Sequence, residues 1–303
     1  VVDGVPLDNT NNNDVDTQRG AGGRDYGDAT FDISPDDIES VTVLKGGPAA
    51  ALYGSRAGNG AILYTTKSAK KGRTSVELNT GVSFESAYIA PKLQNQYGAG
   101  LSSTLPTQSI NGTTYNIAEY ETDASWGPKY DANLMYLPWY AFDPEYSGDY
   151  LKLVPFVAPN KDVDSFFQTG TNYTNNFAVS HSFNATNIRL SYTNTQINGI
   201  VPNTKVNKDN LNLNLATKLS ENLKVDASIN YVVTRGFNRP EVGYGDDSVA
   251  QKFYQFGQRS LDYAKLKDYK LADGSQRTWN RTAWNNPTPL YSDNPYWTIY
   301  ENI

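Results

Sequence analysis

From residue 73 onward, hydrophobic and polar positions alternate along the chain. In "TSVELNTGVSFE", Val76, Leu78, Thr80, Val82 and Phe84 fall on one side, and Glu77, Asn79, Gly81 and Ser83 on the other. A period of two is the pattern of an extended strand with unlike faces. It returns in "NNFAVSHSF", "NIRLSYTNT", "NLNLNLATKL" and "LKVDASINYVV". In the fourth of these five segments, Leu211, Leu213, Leu215 and Leu219 oppose Asn210, Asn212, Asn214 and Lys218. In the fifth, Leu223, Val225, Ala227, Ile229, Tyr231 and Val233 oppose Lys224, Asp226, Ser228 and Asn230. The pattern predicts a mainly β protein built from antiparallel strands.

The first 72 residues differ. Residues 9–30 are rich in Asn, Asp and Gly without periodicity and are expected to form a loop. "DNTNNNDVDT" has the oxygen donors of a calcium loop, but an EF-hand register from Asp8 would place Asn13 at the turn glycine and Arg19 at the closing Glu. The glycines of "RGAGGR" lack the preceding strand and following helix of a phosphate loop. Ser34, Pro35, Asp36 and Asp37 predict one capped helical turn, with both carboxylates at the positive end of its dipole. "SVTVLK" and "GAILYTTK" then predict two strands, separated by a helical turn that starts at Pro48 and is stopped by Gly54. The whole is a small α+β segment ahead of the alternating region.

A soluble sandwich and a membrane barrel both produce alternation, so the connections discriminate. They run long (86–170), short (184–187), moderately long (197–208), short (220–222) and long again (236–303). Outer-membrane barrels have tight turns on the periplasmic side and extended outer loops, whereas a sandwich has no reason to obey that asymmetry. Strands of about 11 residues tilted by about 40° rise on the order of 28 Å, close to the apolar band of such barrels. The leucine faces are then expected to meet lipid, and the asparagine faces water inside a wide lumen.

Composition narrows the classes further. Of 303 residues 38% are hydrophobic and 19% charged, with a net charge of −6. Phosphate binding needs concentrated positive charge, so no nucleic-acid partner is expected. The absence of Cys removes thiolate metal sites and cysteine nucleophiles, and without disulfides the sequons at Asn111, Asn172, Asn184 and Asn280 carry little weight. No apolar run is long enough for a transmembrane helix.

"KGGPAAALYGSRAGNGAILYTTK" resembles the end of the plug domain of TonB-dependent outer-membrane transporters. "VVDGVPLDN", "ISPDDIESVTVLKG" and "DNPYWTIYEN" narrow the resemblance to the SusC/RagA branch, and the four motifs span residues 1–302 in the expected order. The resemblance implies residues 1–72 as the C-terminal part of a plug and 73–303 as the N-terminal part of a large transmembrane β-barrel, expected to have about 22 strands. It implies an internal fragment, since even the smallest such barrels need about eight strands. It further implies a bacterial outer-membrane location, import of oligosaccharides or oligopeptides, a SusD-like surface lipoprotein lid, and energy from a TonB complex acting on a segment that this chain lacks. No Walker loop is present to supply that energy.

Plug-motif residues are Gly47, Pro48, Leu52, Tyr53, Gly54, Arg56, Gly58 and Gly60. Gly54, Gly58 and Gly60 are expected to permit close backbone approach and positive φ. Leu52 and Tyr53 are expected to anchor the smooth Ala49–Ala51 surface, and Arg56 and Glu39 to hold the plug to charged lumen residues. The aromatic-rich stretch 86–170 offers Trp126, Tyr130, Trp139 and Tyr140 as candidates for contact with ligand or lipoprotein, with internal loop packing as the alternative.

No catalytic residue, metal site or cofactor is expected. His181, the only histidine, sits in an alternating strand without nearby ligands, no "GxSxG" elbow occurs, and the Asp36–Asp37 pair is accounted for by capping. The rivals are a soluble carbohydrate-binding β-sandwich and a passive porin or barrel-anchored adhesin. The first predicts comparable loops at both ends, and the second leaves the plug-like segment without a purpose.

Overall fold

The computed structural model describes residues 1–8, 13–70, 72–291 and 293–302. The middle of "DNTNNNDVDT" lies outside them. The N-terminal module is built on a two-stranded antiparallel sheet, β1 (Ile38–Leu44) with β2 (Ala61–Thr66), bridged by helix α2 (Gly47–Tyr53). Pro48 lies in the first turn of α2, where its missing N–H costs nothing. Gly54 ends the helix at φ 74°, a conformation that only glycine adopts without strain. Gly60 sits at φ 120°, where an added Cβ would lie 2.8 Å from the Leu44 carbonyl. Gly58 lacks the positive φ, being helical at −56°, but makes a close approach, since an added Cβ would stand 3.3 Å from the Ser55 carbonyl.

Residues 13–30 are more ordered than their composition suggests. Helix α1 (Val15–Arg19) is capped by the Asp14 side chain, which accepts from Thr17 N at 2.7 Å, and is closed by Gly20 at φ 71°. Capping stabilises a single turn that has no apolar period to betray it.

The alternating segments form one five-stranded antiparallel sheet in the order β11-β10-β9-β8-β3. Its members are β3 (Thr74–Glu85), β8 (Gly170–Phe183), β9 (Thr186–Asn198), β10 (Lys205–Ser220) and β11 (Leu223–Phe237). The connections at one end are residues 184–185 and 221–222; those at the other are 86–169, 199–204 and the segment after 237. The loop expected at 197–208 is therefore shorter. The Asn- and Lys-rich strand ends carry the ladder to the Asn198–Lys205 pair, because backbone hydrogen bonds do not require apolar side chains.

Burial in this sheet is inverted relative to a soluble protein. On β8, β9 and β10 the buried side chains are, besides the small Ala178, all polar or charged: Asn176, Ser180, Ser182, Arg189, Ser191, Thr193, Lys208, Asn210 and Asn212. The opposite face exposes Phe177, Phe183, Leu190, Tyr192 and Leu211. What covers the polar face is the N-terminal module, so the asparagine face meets protein there and not open water. β3 and β11, at the two edges, are exposed on almost all of both faces.

The conventional hydrophobic core lies elsewhere, in an outer layer made by the long connections. Here are hairpins β4 (Thr107–Ile110) with β5 (Thr113–Asn116), β6 (Asp131–Tyr136) with β7 (Val154–Phe156), and β12 (Arg281–Ala283) with β13 (Asn286–Pro289). With helices α3 (Val249–Tyr254) and α4 (Pro295–Trp297) they enclose Tyr136, Trp139, Phe156, Phe166, Phe253, Tyr263, Trp279 and Ile299. Phe166 packs edge-on to both Phe253 and Tyr296, at 4.8 and 4.9 Å between centroids.

Gly60→Ala is expected to destabilise the β1–β2 hairpin by about 1–3 kcal/mol, from its strained φ and the close carbonyl. Gly47→Ala, whose added Cβ meets nothing within 4 Å, serves as the near-neutral control. Denaturant midpoints of the two variants check the difference.

Candidate functional site

Between module and sheet lies a joint made almost entirely of polar groups. From residue 31 the chain descends the inner face of the sheet, from the end with long connections to the end with tight turns. Lys208 Nζ donates to Phe31 O at 2.7 Å and stands 4.5 Å above the Phe31 ring, and Asn210 donates to Asp32 O at 2.9 Å. The hydroxyls of Ser34 and Thr193 then meet at 3.1 Å, and Thr193 also accepts from Asn176 at 2.8 Å.

At the centre is Asp37, held by Arg189 at 3.4 Å and by the Ser191 hydroxyl. Arg189 is buried, and its other terminal nitrogen reaches Glu77 of β3 at 3.2 Å. Lower still, Asn214 donates to Thr66 Oγ1 at 3.0 Å and to Lys67 O at 3.1 Å. Sequence capping explains why a carboxylate stands at 37, within a 3-10 turn (Pro35–Asp37), but not its partner. Arg189 lies 152 residues away, so only the register of the sheet reveals the pair.

Among the described residues, Arg56 and Glu39 make no ion pair with the five-stranded sheet. Arg56 faces Asp8 of its own module at 4.0 Å with both side chains largely exposed, and Glu39 enters no ion pair among the described residues. Among the described residues, none of Gly47, Pro48, Leu52, Tyr53, Gly54, Arg56, Gly58 and Gly60 hydrogen-bonds to the sheet. Leu52 is exposed, and within the smooth surface expected at Ala49–Ala51 it is Ala49 that is buried.

The four aromatic candidates separate clearly. Trp139 is buried in the outer core with the Arg277 guanidinium 5.3 Å from its ring. Tyr130 packs on Phe156 at 4.9 Å and donates its hydroxyl to Arg259 O at 2.8 Å. Tyr140 is half-buried against Trp139 at 5.8 Å, with Lys265 Nζ 4.9 Å above it, and burial pushes its phenol up to about 12. Trp126 alone of the four is exposed, 5.7 Å from Tyr97. It borders an open cleft of 350 Å³ that also meets Asp123, Tyr254 and Gln258.

The outer layer is stitched by buried charge. Asp143 accepts from Arg277 at 2.7 Å and Arg281 at 2.8 Å, all three buried, and Arg277 also stacks 3.6 Å over Tyr146. Arg259 bonds both oxygens of Asp162, at 2.9 and 2.7 Å. His181 lies on β8 with Nδ1 at 2.7 Å from the Thr74 hydroxyl, and no cluster of metal-ligating side chains occurs among the described residues.

Removing Arg189 leaves the buried Asp37 carboxylate without a counter-charge, so Arg189→Ala is expected to cost about 3–5 kcal/mol at the joint, and Asp37→Ala less, because Glu77 still pairs with Arg189. Proteolysis of the 67–73 junction in the full-length protein reads that loosening. A second expectation concerns pH. Hydrogen bonding to Arg259 holds the Asp162 carboxyl below its ordinary 3.8. Its contribution is present above about pH 3.8 and is lost as pH falls through the lowered value, because the unfolded chain takes up its proton first. Asp162→Asn should flatten that part of the acid dependence in an unfolding titration.

Residues 1–61 match the family model described as TonB-dependent Receptor Plug Domain. Over 97% of its length the chain is 27% identical to the TonB-dependent receptor SusC of Bacteroides thetaiotaomicron, of which it covers 24%. It is also 45% identical to TonB-dependent receptor P39 of Formosa agariphila, across 20% of this chain and 6% of that one. Among solved structures it is similar to the RagAB peptide importer in the "closed-closed" state, with 17% identity, a TM-score of 0.49, and coverage of 88% of this chain and 28% of that one. The chain thus spans about a quarter of the SusC relative. Residues 1–61 thus belong to the TonB-dependent receptor plug domains, and similarity to the TonB-dependent receptor SusC continues from them through the sheet and both long connections.

Proposed function

We propose that residues 1–72 form the end of a plug and residues 73–303 the first strands and outer loops of a transmembrane barrel, in a transporter of the bacterial outer membrane. It imports oligosaccharides or oligopeptides, with a TonB complex supplying the pull and a SusD-like lipoprotein closing the outer side. The observation that carries this reading is the inverted sheet, whose asparagine, serine and arginine face is buried by the module while its leucine and aromatic face is bare. A bare apolar face is stable where lipid covers it, and strand-to-strand hydrogen bonding is one of two ways to satisfy backbone in hydrocarbon. A soluble sandwich would bury the opposite face.

The chemistry of the joint supports a plug that releases. Arg189 Nε, Asn210 Oδ1 and Asn212 Oδ1 are buried without a partner, so the interface holds polar capacity that it does not use. Hydrogen bonds lost on withdrawal are replaced by water, which keeps the net cost of each near about 1 kcal/mol. Trp126 and its cleft on the outer layer suit contact with a ligand or with the lipoprotein lid, as an exposed ring with polar neighbours does in general.

Uptake by cells carrying the full-length receptor and its native lipoprotein tests this. Labelled oligosaccharides and oligopeptides are compared with and without a protonophore. Receptor-dependent uptake of one class, stopped by the protonophore, is expected. Uptake that persists without the proton gradient would mean a passive pore, and recovery of the receptor in the detergent-free soluble fraction would mean a soluble module.

A further inference from the structure

The glycine run "RGAGGR" (residues 19–24) takes no part in the joint with β8–β10, yet it forms a second contact. Residues 21–25 lie along residues 239–247, the segment that follows β11. Ala21 and Gly243 form an antiparallel bridge, and Val242 N donates to Gly23 O at 2.8 Å. Gly23 N in turn donates to Glu241 Oε1 at 2.9 Å. Gly22, at φ 127°, allows this approach, since a Cβ there would stand 2.9 Å from Tyr244 O. Arg24 closes the contact, donating through Nε to Arg239 O at 3.0 Å and through Nη2 to Asp247 at 2.5 Å. Arg239 answers by donating to Asp25 O at 2.7 Å.

Segment 239–247 continues directly into the outer core. Ser248 is buried and caps α3, Gly245 N donates to the Gln251 side chain at 3.0 Å, and Val249 and Phe253 enter the aromatic cluster. One short stretch therefore carries a rigid connection from the plug-matching module to the outer layer. We propose that residues 21–25 and 239–247 form a latch, with Arg24 as its positioning residue, through which the module holds the outer layer in its closed packing. Release of the latch then loosens α3 and the core around it, so displacement of the module is felt on the outer side. The proposal rests on the plug assignment for its consequence in transport, but the latch itself is a contact within this chain.

Hydrogen exchange on the purified full-length receptor tests it. Arg24→Glu sets like charges against each other at Asp247, and Gly22→Val drives a side chain into the Tyr244 carbonyl. Both variants should speed exchange about tenfold over 239–247 and also over 249–256, to which residues 21–25 make no hydrogen bond among the described residues. The charge swap, Arg24→Glu with Asp247→Arg, should restore slow exchange in both segments. Acceleration confined to 239–247, or none in either segment, would overturn the latch while leaving proton-gradient-dependent uptake intact. Loss of gradient dependence with the exchange result standing would instead overturn the plug assignment.

Discussion

Everything in this structure follows from which face of the five-stranded sheet is covered. Amide and hydroxyl side chains need hydrogen-bonding partners when buried, and the N-terminal module supplies them from its own carbonyls, hydroxyls and one carboxylate. The apolar face is left bare across β8, β9 and β10. Strand direction, loop asymmetry and the position of the module all become consistent with one another once that inversion is accepted.

Two kinds of cohesion coexist in the chain. The outer layer is held as soluble proteins are, by interlocked aromatic rings and by buried arginines shared on Asp143. The joint beneath it has almost no apolar contribution, and its ion pair between Asp37 and Arg189 is better suited to fixing position than to adding stability. Residues 239–247 join the two regimes, since they touch the module on one side and run into the aromatic core on the other.

Strand identity was legible because alternation survives whichever face is buried: Leu211 and Asn212 announce opposite faces before either environment is known. Strand ends were less so, since "NTQIN" and "KVNKDN" each carry a single apolar residue and no alternation, and only the ladder shows that they pair. Asp37 was legible as a cap and illegible as the centre of the joint, because its partner is set by sheet register. Arg56, by contrast, faces Asp8 of its own module. Trp126 and Trp139 are alike in a sequence, but chain packing buries one and leaves the other bare. The glycines of "RGAGGR" resembled a loop for phosphate because both uses need backbone without side chains; here the visitor is the irregular backbone around Val242–Tyr244.

The central claim is that the leucine-bearing face touches acyl chains and the asparagine-bearing face does not. Spin labels placed singly at Leu190, Leu211, Ser191 and Asn212 of the full-length receptor, reconstituted in bilayers, report this through collisions with oxygen, which concentrates in hydrocarbon. High oxygen accessibility at 190 and 211 with low accessibility at 191 and 212 is the expected result. Low accessibility at 190 and 211 would place the apolar face inside protein and contradict the account.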